Sequence, residues 1–265
     1  MSIIDTHAHL YEKKVYKDLD GLVKKLKDND IVNVLLPGTI VEDSILIKEL
    51  CDKFKDFFYP MIGIHPDYVS NDIDVYKKNI NNIEKDLEDY KYIAIGEVGL
   101  DYYGEKSNID SQKKFINDIL DIAIDSRLPV SIHCREAFED MYNILKLKVN
   151  RGLRGVIHCF TGNITEAKKY IDIGFYLGIG GIVTFKNSKL KDVIKEIGLN
   201  NVVLETDSPY LSPEPLRGTI NDSSNLNIVV KKLSEITSLS EDDIKNITTT
   251  NSKLTYKVPG LSPGP

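Results

Sequence analysis

The feature that most constrains the fold is a regular alternation of short apolar runs with longer amphipathic segments. The segments between the runs, such as DSQKKFINDILDIAIDS, repeat apolar residues with helical periodicity. Strands that alternate with helices predict βαβ units and a parallel sheet. The eight runs read as buried strands are SIIDTH, IVNVLLPG, FFYPMIGIHP, YIAIGEVGLD, LPVSIHC, LRGVIHCF, FYLGIGG and NVVLETD.

Eight such units in 265 residues predict an α/β fold, a (β/α)8 TIM barrel with its active site at the C-terminal ends of the strands. The alternative is an open doubly wound sheet, whose nucleotide-binding members carry a GxGxxG or GxxxxGK[ST] loop after a strand. Neither loop follows any run here, which favours the barrel. No linker or composition break divides the chain, so we predict one domain over 1–256 and a disordered tail over 257–265.

Composition limits the classes of partner. The formal charge of −6 argues against a broad basic surface for gripping duplex DNA. It leaves a nucleic-acid substrate possible, because metal ions in a pocket can supply positive charge locally. No apolar run could span a bilayer and no signal pattern follows Met1, which predicts a cytoplasmic protein without a membrane partner. The three cysteines form no CxxC, and a disulfide scaffold is not expected.

Seven ionisable side chains share one position, the C-terminal end of a predicted strand. Since those ends meet on one face of a barrel, the side chains should converge. Residues i and i+2 of a strand point the same way, so the first two histidines can present two nitrogens to one point. Imidazole and carboxylate ligands suit Zn²⁺, Mn²⁺ or a similar ion. The seven are His7, His9, His65, Glu97, His133, His158 and Asp207.

One catalytic ion takes three or four protein ligands, so a single ion cannot account for all the side chains of this set. Two divalent ions that share a bridging carboxylate account for four histidines with Glu97 and Asp207. Glu97 is the natural bridge because it comes from the middle of the strand order. Such a pair of ions would activate a water as a nucleophile. The residues leave the metal open between Mg²⁺, Mn²⁺ and Zn²⁺.

The motifs HxH, GIHP, GEVGLDYY, HCREA, HCFTG and TDSPYL, in this order, resemble the TatD-like deoxyribonucleases of the amidohydrolase superfamily. The resemblance runs over about 3–254. It implies a TIM barrel with a two-metal centre that hydrolyses DNA phosphodiester bonds. Other superfamily members bridge their ions with a carbamylated lysine, whereas the fourth run here carries Glu97 and no lysine.

The resemblance also implies roles for the ligands. His7 and His9 would bind the first ion with Glu97 and Asp207, and Glu97 would bridge to a second ion. His133 and His158 would hold that second ion. Asp207 would also be the general base for the attacking water.

One loop departs from the family pattern. After TDSPYL the chain keeps Arg217, Gly218 and Asn221, but Ser223 stands where a proline is expected. Because this loop would border the pocket, the departure bears on substrate preference more than on the metal centre.

Further candidates surround the ligands. His65 either contacts or protonates the substrate, as a third catalytic residue, or is a structural strand end. Glu205 would orient a ligand, and Arg135 would pair a phosphate or a surface carboxylate. Asp101 and Tyr102 would shape the pocket, with stacking on a base or core packing both open for the tyrosine. The cysteines after two metal histidines, Cys134 and Cys159, should turn away into the core.

The function expected is a metal-dependent deoxyribonuclease, acting on a single strand or frayed end as a 3′–5′ exonuclease. The acidic surface and the compact mouth favour a strand end over a long duplex. The alternative is an ester or amide hydrolase on the same site, such as an aminoacyl-RNA deacylase. A metal-bound scaffold without turnover would have lost a ligand or the base, and this chain keeps both. No obligate protein partner is indicated.

Overall fold

The computed structural model describes residues 1–104 and 106–257, and its centre is a ring of eight parallel strands. Neighbouring strands pair in chain order from the first to the eighth, which confirms the (β/α)8 TIM barrel. Most of the predicted tail lies outside the described residues, and its first residue, Lys257, follows the last helix. The strands are β1 (Ile3–Asp5), β2 (Ile31–Leu36), β3 (Phe58–Ile62), β4 (Ala94–Asp101), β5 (Val130–Arg135), β6 (Gly155–Ile157), β7 (Tyr176–Ile179) and β8 (Val202–Leu204).

Helices follow the strands and form the outer layer. Four of the nine described helices begin at a side-chain cap, which satisfies backbone N–H groups that lack an intrahelical partner. Asp72 caps the third helix, and Asn163 forms a capping box with Glu166 at the sixth. The helices are α1 (Leu19–Asp28), α2 (Asp43–Lys53), α3 (Ile73–Asp89), α4 (Ile109–Asp125), α5 (Phe138–Lys148), α6 (Ile164–Asp172), α7 (Leu190–Ile197), α8 (Leu226–Thr237) and α9 (Glu241–Tyr256).

Alternation along the strands divides the core into two layers. Ile3 packs in the large cluster that includes the helices, whereas its neighbour Ile4 belongs to a smaller cluster. Leu35, Met61 and Val203 share that smaller cluster, which Tyr256 of α9 completes. Successive side chains of a strand point to opposite faces, so this division follows from the sequence. None of the described helices is both long and apolar enough to cross a membrane.

A buried carboxylate links the segments that follow the first and the last strands of the barrel. Asp5 Oδ2 accepts a 2.6 Å hydrogen bond from the Thr206 hydroxyl, and Asp5 Oδ1 accepts from the N–H groups of Thr206 and His7. Beside it, the Thr6 N–H donates to the carbonyl of Leu204 at 3.0 Å. Burial raises the pKa of Asp5 to about 7 although these hydrogen bonds oppose the shift. The contacts hold the segments after β1 and β8 together.

The strand ends differ from the sequence prediction at Glu97. We expected this residue to end the fourth strand, but β4 continues to Asp101 and Glu97 lies inside it. The reason is that Gly99 and Asp101 pair with His133 and Arg135 of β5, after a register irregularity that spans Glu97. His7, His9 and Asp207 lie beyond their strands by two to four residues.

The pairing of β4 with β5 predicts a strict requirement for glycine at residue 99. A Cβ there would lie 1.9 Å from the carbonyl oxygen of His133, whereas at Gly174, which also has a positive φ, it would meet nothing within 4 Å. We expect Gly99→Ala to lower the free energy of unfolding by roughly 1–3 kcal/mol more than Gly174→Ala. Urea unfolding followed by circular dichroism measures the difference. Equal losses in the two variants would contradict the close approach.

Candidate metal centre

The seven predicted side chains meet at the mouth of the barrel. The segments after β1 and β8 run side by side: the Asp207 N–H donates to the carbonyl of His7, and the His9 N–H donates to the carbonyl of Ser208. His133 lies on β5, His158 directly follows β6, and His65 precedes a short 3-10 helix after β3. Convergence on one face is therefore found as the strand positions predicted.

Glu97 lies at the centre of this group, and its two oxygens face different histidines. Oε2 is 3.3 Å from His7 Nε2 and 3.6 Å from His9 Nε2. Oε1 is 2.9 Å from His133 Nδ1, 3.1 Å from His158 Nε2 and 3.6 Å from His65 Nε2. A carboxylate arranged in this way can bridge two cations, as the sequence predicted.

Asp207 completes the His7 side of the centre. Its Oδ1 lies 3.4 Å from His9 Nε2 and 3.7 Å from His7 Nε2. The backbone of Asp207 has a positive φ of 57°, a conformation that costs energy for a residue with a side chain. The contacts of its N–H with His7 fix this conformation and direct the carboxylate to the histidines.

The donor set fits divalent cations. Three groups of donor atoms lie within 4.8 Å of one another: His7, His9 and Asp207; His7, Glu97 and His158; His65, Glu97 and His133. The buried Nε2 atom of His7 belongs to two of them and lacks a hydrogen-bond partner among the described residues, although Glu97 is close. A nitrogen that faces shared donors without a hydrogen bond is what a ligand atom requires. The third group makes His65 a candidate ligand.

A fourth group of donors is already neutralised by a lysine. His65, Asp67 and Asp101 lie together at the edge of the mouth. The ammonium of Lys106 pairs with Asp67 and lies 3.6 Å from Asp101 Oδ1. The carboxylates of this group are therefore neutralised by Lys106, whereas the other three groups contain no paired lysine among the described residues.

The ring nitrogens that face away from the centre also have partners. His133 Nε2 forms a 2.8 Å hydrogen bond with Asp101 Oδ2, whereas His158 Nδ1 lies 3.3 Å from Glu205 Oε1 as an ion-pair contact without hydrogen-bond geometry. Such contacts fix the orientation and the tautomer of a metal-binding histidine. Glu205 thus lies where the sequence analysis expected an orienting residue, whereas Asp101, which was expected to shape the pocket, contacts His133 and does not line the cavity above the centre.

Two further partners were missed. His7 Nδ1 is 3.1 Å from Ser131 Oγ, and His9 Nδ1 is 3.0 Å from the hydroxyl of Tyr11, which donates to Asp43. Tyr11 follows His9 by two residues and could have been considered for that reason. Ser131 and Asp43 come from distant segments, and no local pattern identifies them.

Opposing effects set the charges in the centre. Burial disfavours ionised Glu97, but the charge of His158, the hydrogen bond from His133 and the close approach of His158 and His7 hold its pKa well below the ordinary value. Burial also disfavours ionised Asp207, yet the hydrogen bond with His9 and the nearby histidine charges lower its pKa. Burial and the proximity of His158 lower the pKa of His7. Ionised carboxylates and a neutral His7 are the protonation states that bind cations. The carboxylates raise the pKa values of His9, His133 and His158 despite burial, so a bound cation would displace protons from these rings.

The remaining predicted residues lie at different distances from the centre. Arg135 lines the cavity above it and stacks on Tyr103, with 3.6 Å from Cζ to the ring centre. Tyr102 donates its hydroxyl to Asp140 and does not line this cavity, nor does Arg217, which stacks on Phe185. Their binding roles stay predictions.

The two cysteines differ from expectation. Cys134 packs against the core as predicted, but Cys134 and Cys159 also border the cavity. Cys159 has a positive φ of 47° and follows the end of β6, so strand alternation no longer decides where it points. Neither cysteine belongs to the donor groups described above.

The cavity above the centre has a volume of about 730 Å³, within the range of small-ligand sites. Its rim carries Tyr68 and Tyr210, which are 59% and 56% exposed. A barrel whose mouth holds buried imidazoles around a bridging carboxylate, below an open cavity, defines a metal-dependent hydrolase of the TIM-barrel class.

Comparisons with known proteins place the chain within that class. Residues 4–257 match the family described as TatD related DNase. The metal-dependent hydrolase YabD of Bacillus subtilis is 35% identical over 97% of this chain and 99% of its own length. YcfH of Escherichia coli, also a metal-dependent hydrolase, is 31% identical over 95% of this chain and 94% of its own. The crystal structure of YjjV, a TatD homologue from Escherichia coli, superposes with a TM-score of 0.89 at 26% identity, covering 97% of this chain and 98% of that one. The chain belongs to the TatD family of metal-dependent hydrolases.

Asp101 and Glu205 generate a prediction about metal affinity. We expect Asp101→Asn and Glu205→Gln each to weaken Mn²⁺ binding by roughly 10–100-fold, because the histidines they orient lose their fixed geometry. Isothermal titration calorimetry measures the affinity. Asp89→Asn and Glu84→Gln, exposed carboxylates on α3, are the matched controls and should bind as the wild type does. Unchanged affinity in the first pair would mean that these carboxylates do not support the ligands.

Proposed function

We propose that the protein is a deoxyribonuclease that removes nucleotides from the 3′ end of single-stranded or frayed DNA. The observation that carries the proposal is that the two carboxylate oxygens of Glu97 face different histidines, Oε2 facing His7 and Oε1 facing His133 and His158. This arrangement suits two cations that act on the same phosphate group. The family description, TatD related DNase, supports the same substrate class.

The chain would hold two divalent ions, Mg²⁺, Mn²⁺ or Zn²⁺. His7, His9, Asp207 and Glu97 would hold the first, and Glu97, His133 and His158 the second, with His65 close enough to join them. When bound, the ions would neutralise charge on the phosphate oxygens and lower the pKa of a water.

Asp207 is proposed as the general base for the attacking water. Its Oδ1 faces the histidines, which leaves Oδ2 to accept a proton. Its lowered pKa keeps the carboxylate ionised at neutral pH, ready for that step. Burial lowers the pKa of His65 to about 4, so a neutral ring at position 65 suits a ligand or a phosphate contact better than an acid.

The rim of the cavity supports a single-stranded substrate. Tyr68 and Tyr210 are exposed there, and aromatic rings at such a rim can stack on unpaired bases. Arg135, also at the rim, can pair with a backbone phosphate. The net charge of −6 leaves little attraction for a long duplex.

Digestion of end-labelled DNA tests the proposal. The protein is treated with a chelator and then given Mg²⁺, Mn²⁺ or Zn²⁺ with single strands labelled at the 5′ or the 3′ end. We expect a ladder from the 5′ label and immediate release of labelled mononucleotide from the 3′ label. Asp207→Asn should lower the rate by about 10²–10⁴-fold because the general base is lost, and Glu97→Ala should abolish it.

Glu84→Ala, on the exposed face of α3, is the control and should digest at the wild-type rate. No cleavage with any ion by a folded, metal-loaded protein would overturn the proposal. Hydrolysis of an aminoacyl ester under those conditions would favour the esterase alternative.

A further inference from the structure

A second cavity of about 550 Å³ lies beside the metal centre. It is bordered by the start of α5, by α6 and by the segments after β4 and β6. Cys134 and Thr161 line both this cavity and the one above the metals. Cys134 is the next residue after His133. A substrate with its phosphate at the metals can therefore extend into this second cavity, which we call the side cavity.

The walls of the side cavity are largely aromatic. They include Tyr102, Phe138, Phe160 and Tyr170. Phe138 meets Tyr170 edge to face with ring centres 5.2 Å apart, and Phe160 meets it similarly at 6.4 Å. Phe160 and Tyr170 are buried core residues, whereas Phe138 and Tyr102 are only partly buried. The ammonium groups of Lys169 and Lys113 lie 5.2 Å and 5.8 Å from the ring centres of Phe138 and Tyr102, and Phe138 also stacks on Tyr142. The part of each ring that stays exposed can contact a flat ring.

The polar part of the wall is acidic. Asp140 already accepts hydrogen bonds from Tyr102 and pairs with Lys113, and Glu166 accepts from the N–H of Asn163. Glu136 differs: it is exposed, and among the described residues its carboxylate has neither a hydrogen bond nor an ion pair. The described lining contains no lysine, arginine or histidine.

The aromatic and acidic walls together limit the kind of molecule that can bind in the side cavity. Lys113 pairs with Asp140, and Lys169 pairs with Glu139, which also lines the cavity. Glu136 and Glu166 have no paired cation among the described residues, and their negative charge disfavours a phosphate of the DNA backbone there. A neutral flat ring that donates hydrogen bonds suits both the aromatic and the acidic walls. Cytosine N4, adenine N6 and guanine N2 are exocyclic amino groups that can donate to a carboxylate, whereas thymine has no amino group and can donate only through its N3–H.

We propose that the side cavity binds an amino-bearing nucleobase of the strand whose phosphate lies at the metal centre. Glu136 accepts from the amino group, and Phe138 contacts the ring. The cavity then acts as a specificity site that favours cytosine, adenine and guanine over thymine. The proposal rests on the proposed DNA substrate, but base binding can be measured without catalysis.

Nucleosides provide that measurement because they lack the phosphate that metals would bind. Saturation-transfer difference NMR with chelator-treated protein gives the dissociation constants of deoxycytidine and thymidine. We expect deoxycytidine to bind about tenfold more tightly, the ratio that one hydrogen-bonded pair can supply. In Glu136→Gln the amide can donate to thymine, so the ratio should fall to about one. Phe138→Leu should weaken both nucleosides.

The control is Glu84→Gln, which should keep the wild-type ratio. Glu136 is exposed and without partners, and its replacement should leave the circular dichroism spectrum unchanged. No nucleoside binding, or a ratio unaffected by Glu136→Gln, would overturn the proposal even if DNA is cleaved. Preferential binding of an amino-acid methyl ester would overturn it as well.

The two proposals fail in different ways. Binding of deoxycytidine that depends on Glu136, by a protein that leaves DNA intact, would retain the side cavity as a base site and reject the nuclease. Cleavage of DNA by a protein that binds no nucleoside would retain the nuclease and reject the side cavity as a base site.

Discussion

The structure depends on the burial of one carboxylate, that of Glu97, among five imidazoles. A buried charge is costly unless it is paired and hydrogen-bonded. His133 and His158 contact one oxygen of Glu97 and His7 and His9 contact the other. The barrel can accommodate the charge only because several strands deliver partners to the same point.

The convergence of these side chains requires that the barrel close between its first and last strands. The segments that follow the first and last strands carry His7, His9 and Asp207, and these segments are about 200 residues apart in sequence. Asp5 joins them by accepting hydrogen bonds from Thr206 and from the N–H of His7. The same contacts thus stabilise both the closure of the barrel between β1 and β8 and the positions of the side chains at its mouth. A change at Asp5 would affect both.

The centre and the rim of the cavity differ in how firmly the fold positions their residues. The donor atoms lie on or directly beside strands, where the backbone is fixed by parallel pairing. The rim instead consists of residues at or beyond the strand ends: Arg135 ends β5, Tyr68 lies in the short 3-10 helix after β3, and Tyr210 lies in the loop after β8. Such connecting segments on a rigid scaffold determine what a site admits. Ser223, where the family pattern has proline, lies buried within its loop rather than in the cavity lining. It can affect the substrate only through the position of that loop.

The sequence by itself determined the barrel and the set of side chains that meet at its mouth, because strand periodicity and the position of a residue near a strand end are local properties. His7 and His9 could be assigned to one point from their spacing alone. Only the tertiary structure decided that Glu97 lies within β4, since this depends on how β4 pairs with β5. Likewise, only it revealed Ser131 and Asp43 behind the histidines, placed Arg217 away from the cavity, and formed the side cavity next to His133. These features arise where side chains from distant segments meet, and no pattern along the chain records such contacts.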